Sequence, residues 1–98
     1  MTEADDRRVF LRAHWAALDV LLDELLTASQ DVMSEAEKGE VQHYIDHNEQ
    51  GLALKTFVAI YAEGSKVATP VVVELVERLA VKMKLDSKPL LEELLRYS

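Results

Sequence analysis

Between Glu40 and Phe57 the chain reads EVQHYIDHNEQGLALKTF, which sets His43 and His47 four residues apart among Glu40, Asp46 and Glu49. On a helix that spacing puts both imidazoles on one face. There they can share a metal ion or, with a carboxylate, move a proton. The zinc-protease pattern HExxH has the same histidine spacing but needs a glutamate directly after the first histidine as general base. Tyr44 stands in that place, on the side that faces inward. Asp46 and Glu49 are the further ligands on offer, and a helix end falls between them. There is no cysteine, no serine in a nucleophile-elbow context and no glycine-rich phosphate loop. The carboxylate pairs lie on solvated faces and not in a cleft. These residues therefore predict no metal, no cofactor and no catalysis; an enzyme or metal protein is the least favoured of three readings. What remains is a polar, acidic, histidine-bearing surface suited to another protein.

Charge points the same way. Acids outnumber bases 18 to 11, a net charge of −7. A phosphate backbone is bound by lysine and arginine, so this balance excludes nucleic acid as a direct ligand. It suits a basic protein partner, whose encounter it speeds by electrostatic steering; it equally serves solubility. Ninety-eight residues make one domain with a modest core. The start MTEADDRRVF has no apolar signal-peptide core, and no run approaches the roughly 20 apolar residues of a membrane span. With no cysteine, the expected setting is soluble and cytoplasmic.

The elements that must position these side chains are helical. Only three glycines and two prolines interrupt the chain, and apolar residues recur with helical period almost throughout. The expected fold is all-α, a bundle of five helices. The first runs from about Asp5 to Ala28, with Phe10, Leu11, Trp15, Leu18, Leu22, Leu25 and Leu26 inward and Asp5, Arg12, Asp19 and Asp23 on a solvated face. After a loop over Thr27 to Met33, Ser34-Glu35-Ala36-Glu37 has capping-box spacing and opens the second helix. Val41, Tyr44 and Ile45 face inward there, leaving Glu35, Gly39, Gln42, His43 and Asp46 outside. Asn48 ends it, and a third helix covers Gln50 to Ala62 and stops at Gly64. Thr69-Pro70 reads as N-cap and first-turn proline of a fourth, running to about Leu85. The run Val71-Val72-Val73 has strand propensity, but the spacing Val72, Leu75, Val76, Leu79, Met83 is helical. A short fifth helix starts between Ser87 and Pro89. Short loops predict antiparallel neighbours.

Several residues carry plainer expectations. His14 falls in the apolar arc of the first helix and reads as a half-buried core histidine. Trp15 and Phe10 read as core, with exposure the alternative for Trp15 near the arc's edge. Tyr61 and Tyr97 read as packed rings with wet hydroxyls. Gly39, outward on a helix, is either a tolerated exposed glycine or a place where a partner packs closely. Glu49 either serves the dipole of the third helix or touches a partner. The Val71–Val73 run is a candidate homodimer patch on a chain otherwise read as a monomer.

The stretch Tyr44-Ile45-Asp46-His47-Asn48-Glu49-Gln50-Gly51-Leu52-Ala53-Leu54, with Ala62-Glu63 and Leu79-Ala80-Val81-Lys82-Met83-Lys84-Leu85, resembles small bacterial immunity proteins of the Maf type and some of contact-dependent inhibition systems. The likeness covers about Val41 to Leu85, with Lys55 and Gly64 departing from it. It implies an all-helical, non-enzymatic antitoxin made beside a polymorphic toxin. Such a protein binds the toxin's C-terminal domain, a basic nuclease and in Maf-type systems often an EndoU-like ribonuclease, and occludes its active site. On that resemblance Glu40, His43, Asp46, His47 and Glu49 form the toxin-binding face, with Glu35 and Glu63 at its rim. The alternative is a general helical protein–protein interaction module or small regulatory subunit.

Overall fold

A computed structural model describes the backbone of residues 3–96 and the side chains of residues 14–96. The expectations for the side chains of Asp5, Phe10, Leu11, Arg12 and Tyr97 concern residues outside that range. Five helices follow one another: α1 (Glu3–Ala28), α2 (Glu35–Asp46), α3 (Gln50–Glu63), α4 (Pro70–Lys82) and α5 (Ser87–Leu94). The chain is all-α, and no strand occurs among the described residues. No described helix is long and apolar enough to cross a membrane.

The core lies where α3 meets the others. Leu22 and Leu25 of α1, Val41 of α2, Leu54, Phe57 and Val58 of α3, and Val72, Val76 and Leu79 of α4 are fully buried. The Phe57 and Tyr61 rings pack at 4.8 Å between centroids. The helix α1 packs chiefly on α4, α2 chiefly on α3, and α5 on both α3 and α4.

Three polar contacts orient the helices that matter most. Lys66, just past α3, reaches Glu37 near the start of α2 at 3.4 Å, so α2 and α3 form an antiparallel hairpin. Gln50 at the start of α3 donates to Asp19 at 3.2 Å, and Tyr61 near its end donates to Ser29 at 2.8 Å. Asp19 to Ser29 and Gln50 to Tyr61 each span roughly 15 Å of helical rise, so α3 runs alongside α1 in the same direction. It follows that α2 opposes both.

The helix ends depart from the sequence reading in instructive ways. α4 stops at Lys82, not Leu85: Lys84 takes φ 57°, and the Leu85 amide turns back to the Ala80 carbonyl at 2.8 Å. Gly64 does end α3, but at φ −87°; its neighbour Ser65 carries the left-handed φ of 52°. What glycine supplies at 64 is space, since a Cβ there would lie 3.0 Å from the Ile60 carbonyl oxygen and 3.1 Å from the Lys66 Cε that passes on its way to Glu37. Asn48 takes the left-handed turn after α2 as expected, at φ 57°. All three ends close alike, as Schellman turns: Glu49 to Tyr44 at 2.8 Å, Lys66 to Tyr61 at 2.9 Å and Leu85 to Ala80 at 2.8 Å.

Two aromatic expectations are overturned. Tyr61 has no wet tip, for the whole residue is 1% exposed and its hydroxyl is bonded inside the protein. Trp15 is not core: it is 41% exposed, because α1 turns Leu18, Leu22 and Leu25 into the bundle and leaves position 15 at its edge.

Candidate functional site

The helix α2 is the platform of the acidic surface, and its N-terminus is firmly built. Ser34 Oγ accepts from the Glu37 amide at 3.1 Å while the Glu37 carboxylate accepts from the Ser34 amide at 2.9 Å. The bond from the Ser34 backbone, aided by the Lys66 charge, holds the Glu37 carboxyl below its ordinary range. Val41 and Ile45, buried against α3, then set the roll of the helix. Glu35, Glu40, Gln42, His43 and Asp46 are exposed as a result, as are His47 and Glu49 beyond the helix end.

These residues divide into two groups. A hollow of about 360 Å³ between α1 and α2 is lined by Asp23, Glu35, Lys38, Gly39 and Gln42 among others. Next to it, a second of about 400 Å³ is lined by Asp19, Asp23, Gln42, Asp46 and Asn48. Asp23 and Gln42 belong to both, so the two hollows make one trough along the α1–α2 seam. Gln42 spans its wall, donating to Asp46 at 2.8 Å. Of the seven residues expected in one binding face, Glu35 and Asp46 stand in this trough. Glu40, His43 and His47 project from the other side of α2, at 100° per residue the flank away from Gln42. Glu49 occupies the N-cap position of α3, yet its side chain makes no capping bond, so its carboxylate is left for solvent or a partner. Glu63 is exposed at the far end of α3, roughly 20 Å from Glu49 by helical rise.

Sequence reasoning missed the α1 wall. Of the two expected on a solvated face, Asp23 is exposed, whereas Asp19 is half-buried and bonded to Gln50; both line the trough together with residues of α2. Their spacing of one helical turn was the available signal. Gln50, only 5% exposed, was also missed.

The histidine pair is a local structure of its own. The rings of His43 and His47 lie 4.3 Å apart between centroids. His47 Nδ1 sits 2.7 Å from the His43 carbonyl. A carbonyl only accepts, so Nδ1 carries the proton and donates, leaving Nε2 outward. Among the described residues no three His, Asp or Glu side chains gather in a way that could hold a metal.

Electrostatically the surface is compensated only in part, at Glu35. Two ion pairs occur among the described residues, Lys38–Glu35 at 2.8 Å and Lys66–Glu37 at 3.4 Å. Asp19, Asp23, Glu40, Asp46, Glu49 and Glu63 are in neither. A trough walled by carboxylates from two helices attracts cationic side chains and repels anions, and the fixed α2–α3 hairpin presents them with little to reorganise.

No family model, no curated protein and no solved structure matches the chain, so its role has to be read from its own residues.

Proposed function

We propose that this chain is a non-enzymatic immunity protein: it binds a cognate basic toxin domain in the cytoplasm and covers that domain's active site. The observation that carries the reading is the unpaired acidic surface at the α1–α2 seam and the α2–α3 corner. Asp19, Asp23, Asp46 and Glu49 stand there without an ion-pair partner among the described residues. A nuclease cleft is lined with lysine and arginine for phosphate. Carboxylates held on two helices can take the place of that phosphate charge, and their field speeds capture of a lethal target. The resemblance of Tyr44–Leu54 to Maf-type immunity proteins supports the same class and favours an EndoU-like ribonuclease as the target. The deciding experiment is co-expression with the C-terminal domain of the exported protein encoded beside it, purifying through a tag on that domain. Stoichiometric co-purification with rescue of growth is the expected result. Absence of both sinks the proposal and leaves the chain as a helical interaction module with another partner.

A further inference from the structure

Beyond the acidic trough, the opposite side of the Asn48 turn holds a hollow of a different kind. It measures about 470 Å³; Trp15 and Leu18 of α1, Leu52 of α3, and Met83 and Leu85 after α4 supply its apolar lining, and His14, Gln50 and Lys55 are among the polar residues beside them. Trp15 is 41% and Leu52 46% exposed, and both border this one concavity. Isolated exposed apolar residues are ordinary; two large ones around a single depression, floored by further apolar side chains, are the anatomy of an interface anchor. The volume falls within the range of pockets that take a sizeable apolar group. Asn48 lines both this hollow and the trough, and Glu49 stands at the hollow's rim. Apolar anchor and acidic trough are thus adjoining halves of one surface, wrapped around the Asp46–Leu52 turn.

We infer that the partner engages this surface through one segment carrying a large apolar side chain that enters the Trp15–Leu52 hollow, with arginine or lysine beside it reaching past Asn48 to Asp19 and Asp46. This rests on the immunity reading and adds where and by what chemistry the toxin domain is gripped. Charge complementarity selects the occupant. A second copy of this chain would bring its own −7 charge to the carboxylates of the trough, whereas a basic domain complements them; the rim of the hollow carries one charge of each sign, Glu49 and Lys55, and leaves the apolar contact to decide there. Charge supplies steering, and the apolar anchor supplies residence time.

Trp15 is the chain's one tryptophan, so the site carries its own reporter. The test labels it with 5-fluorotryptophan and follows the 19F resonance while the purified toxin domain, unlabelled, is added. Two variants accompany it, Trp15→Ala and Leu52→Glu, at exposed positions that leave the core intact, each checked by circular dichroism. The expected result is a shifted Trp15 resonance on binding and a loss of about thirtyfold or more in affinity for both variants, through faster dissociation. Leu52→Glu is the sharper of the two, because it adds negative charge: capture driven by charge alone would be unchanged or tighter. Wild-type affinity in both variants with an unmoved resonance overturns the anchor while leaving the immunity reading intact. Failure of the wild-type chain to bind the toxin domain overturns both. A resonance that shifts with the chain's own concentration, without toxin, assigns the hollow to self-association and overturns the inference.

Discussion

The hydroxyl of Tyr61 donates to Ser29 Oγ at 2.8 Å, joining the end of α3 to the turn after α1 in a site where both residues are 1% exposed. The pair satisfies itself, and no buried side-chain polar atom among the described residues is left without a partner. Tyr61→Phe strands the serine hydroxyl and should cost about 1–3 kcal/mol, read by urea denaturation. The double change Tyr61→Phe with Ser29→Ala removes both partners and should recover most of that loss. If the double variant is as unstable as the sum of the singles, the bond does not couple the helices. Burial pushes the Tyr61 phenol above its ordinary value near 10. The folded state therefore holds its proton longer than the unfolded one. This contribution is complete below pH 10 and fades as pH rises toward the folded value.

The capping box at Ser34 gives the acid-side counterpart. Glu37 is held below its ordinary 4.5, first by the bond from the Ser34 backbone. A depressed carboxyl contributes stability that is present above its unfolded value and lost as pH falls through the folded one. Ser34→Ala should cost about 1 kcal/mol at pH 7. Glu37→Gln should flatten the stability profile below pH 5, and a profile equally steep in that variant assigns the acid sensitivity elsewhere.

How much of this was legible beforehand follows from what each feature depends on. Helix starts are written locally: the Ser34 side chain and Thr69-Pro70 mark α2 and α4 by their own chemistry. The end of α4 is not, because Met83 and Leu85 keep the helical period while Lys84, with none of glycine's freedom, takes the left-handed turn. The acidic character of the surface was readable from composition and from Asp46 and Glu49. Its shape was not, since whether α1 or solvent faces each flank of α2 is decided by packing between residues such as Asp19 and Gln50, 31 positions apart. The apolar half escaped for the same reason, as Trp15, Leu52 and Leu85 come from three separate segments.

Lys84, at φ 57°, is the least suited of the three left-handed residues, because its long side chain stands where the other two carry the short polar side chains of Asn48 and Ser65. Lys84→Gly should stabilise the protein by about 0.5–1 kcal/mol, the relief of strain exceeding glycine's added chain entropy. In a domain of this size that is a rise in Tm of roughly 2–8 °C by scanning calorimetry. A lower Tm would mean that the Lys84 stem contributes packing that outweighs the strain.

Gly39 offers a similar gain at a different kind of position. It lies inside α2 and a Cβ added there meets nothing within 4 Å. Gly39→Ala should therefore raise stability by about 0.5–1 kcal/mol. Because Gly39 also lines the trough, the same variant reports on how closely a partner settles there. On the proposed function, stability should rise while affinity for the toxin domain falls; a gain in stability with affinity unchanged would mark Gly39 as a tolerated glycine with no partner over it.

The sharpest test of the acidic half is charge reversal at Asp46 and Glu49, which flank the Asn48 turn on its trough and hollow sides. Both are exposed; Asp46 accepts one bond from Gln42 and Glu49 makes no capping bond, so Asp46→Lys with Glu49→Lys should leave the fold intact. Steering by surface charge acts on the approach of the partner more than on the final complex. On the proposed function, the association rate with the toxin domain should therefore fall at least about tenfold at low salt. The gap from wild type should narrow toward 1 M salt, where the Debye length shrinks to about 3 Å. Glu63→Lys supplies the control. It makes one charge reversal at the far end of α3, away from both trough and hollow, and should slow association by a smaller factor. Stopped-flow measurements across salt concentrations distinguish the cases. An association rate insensitive to the double reversal, or equally sensitive to Glu63→Lys, would show that the field of the whole chain steers the partner and that the trough has no special part in it.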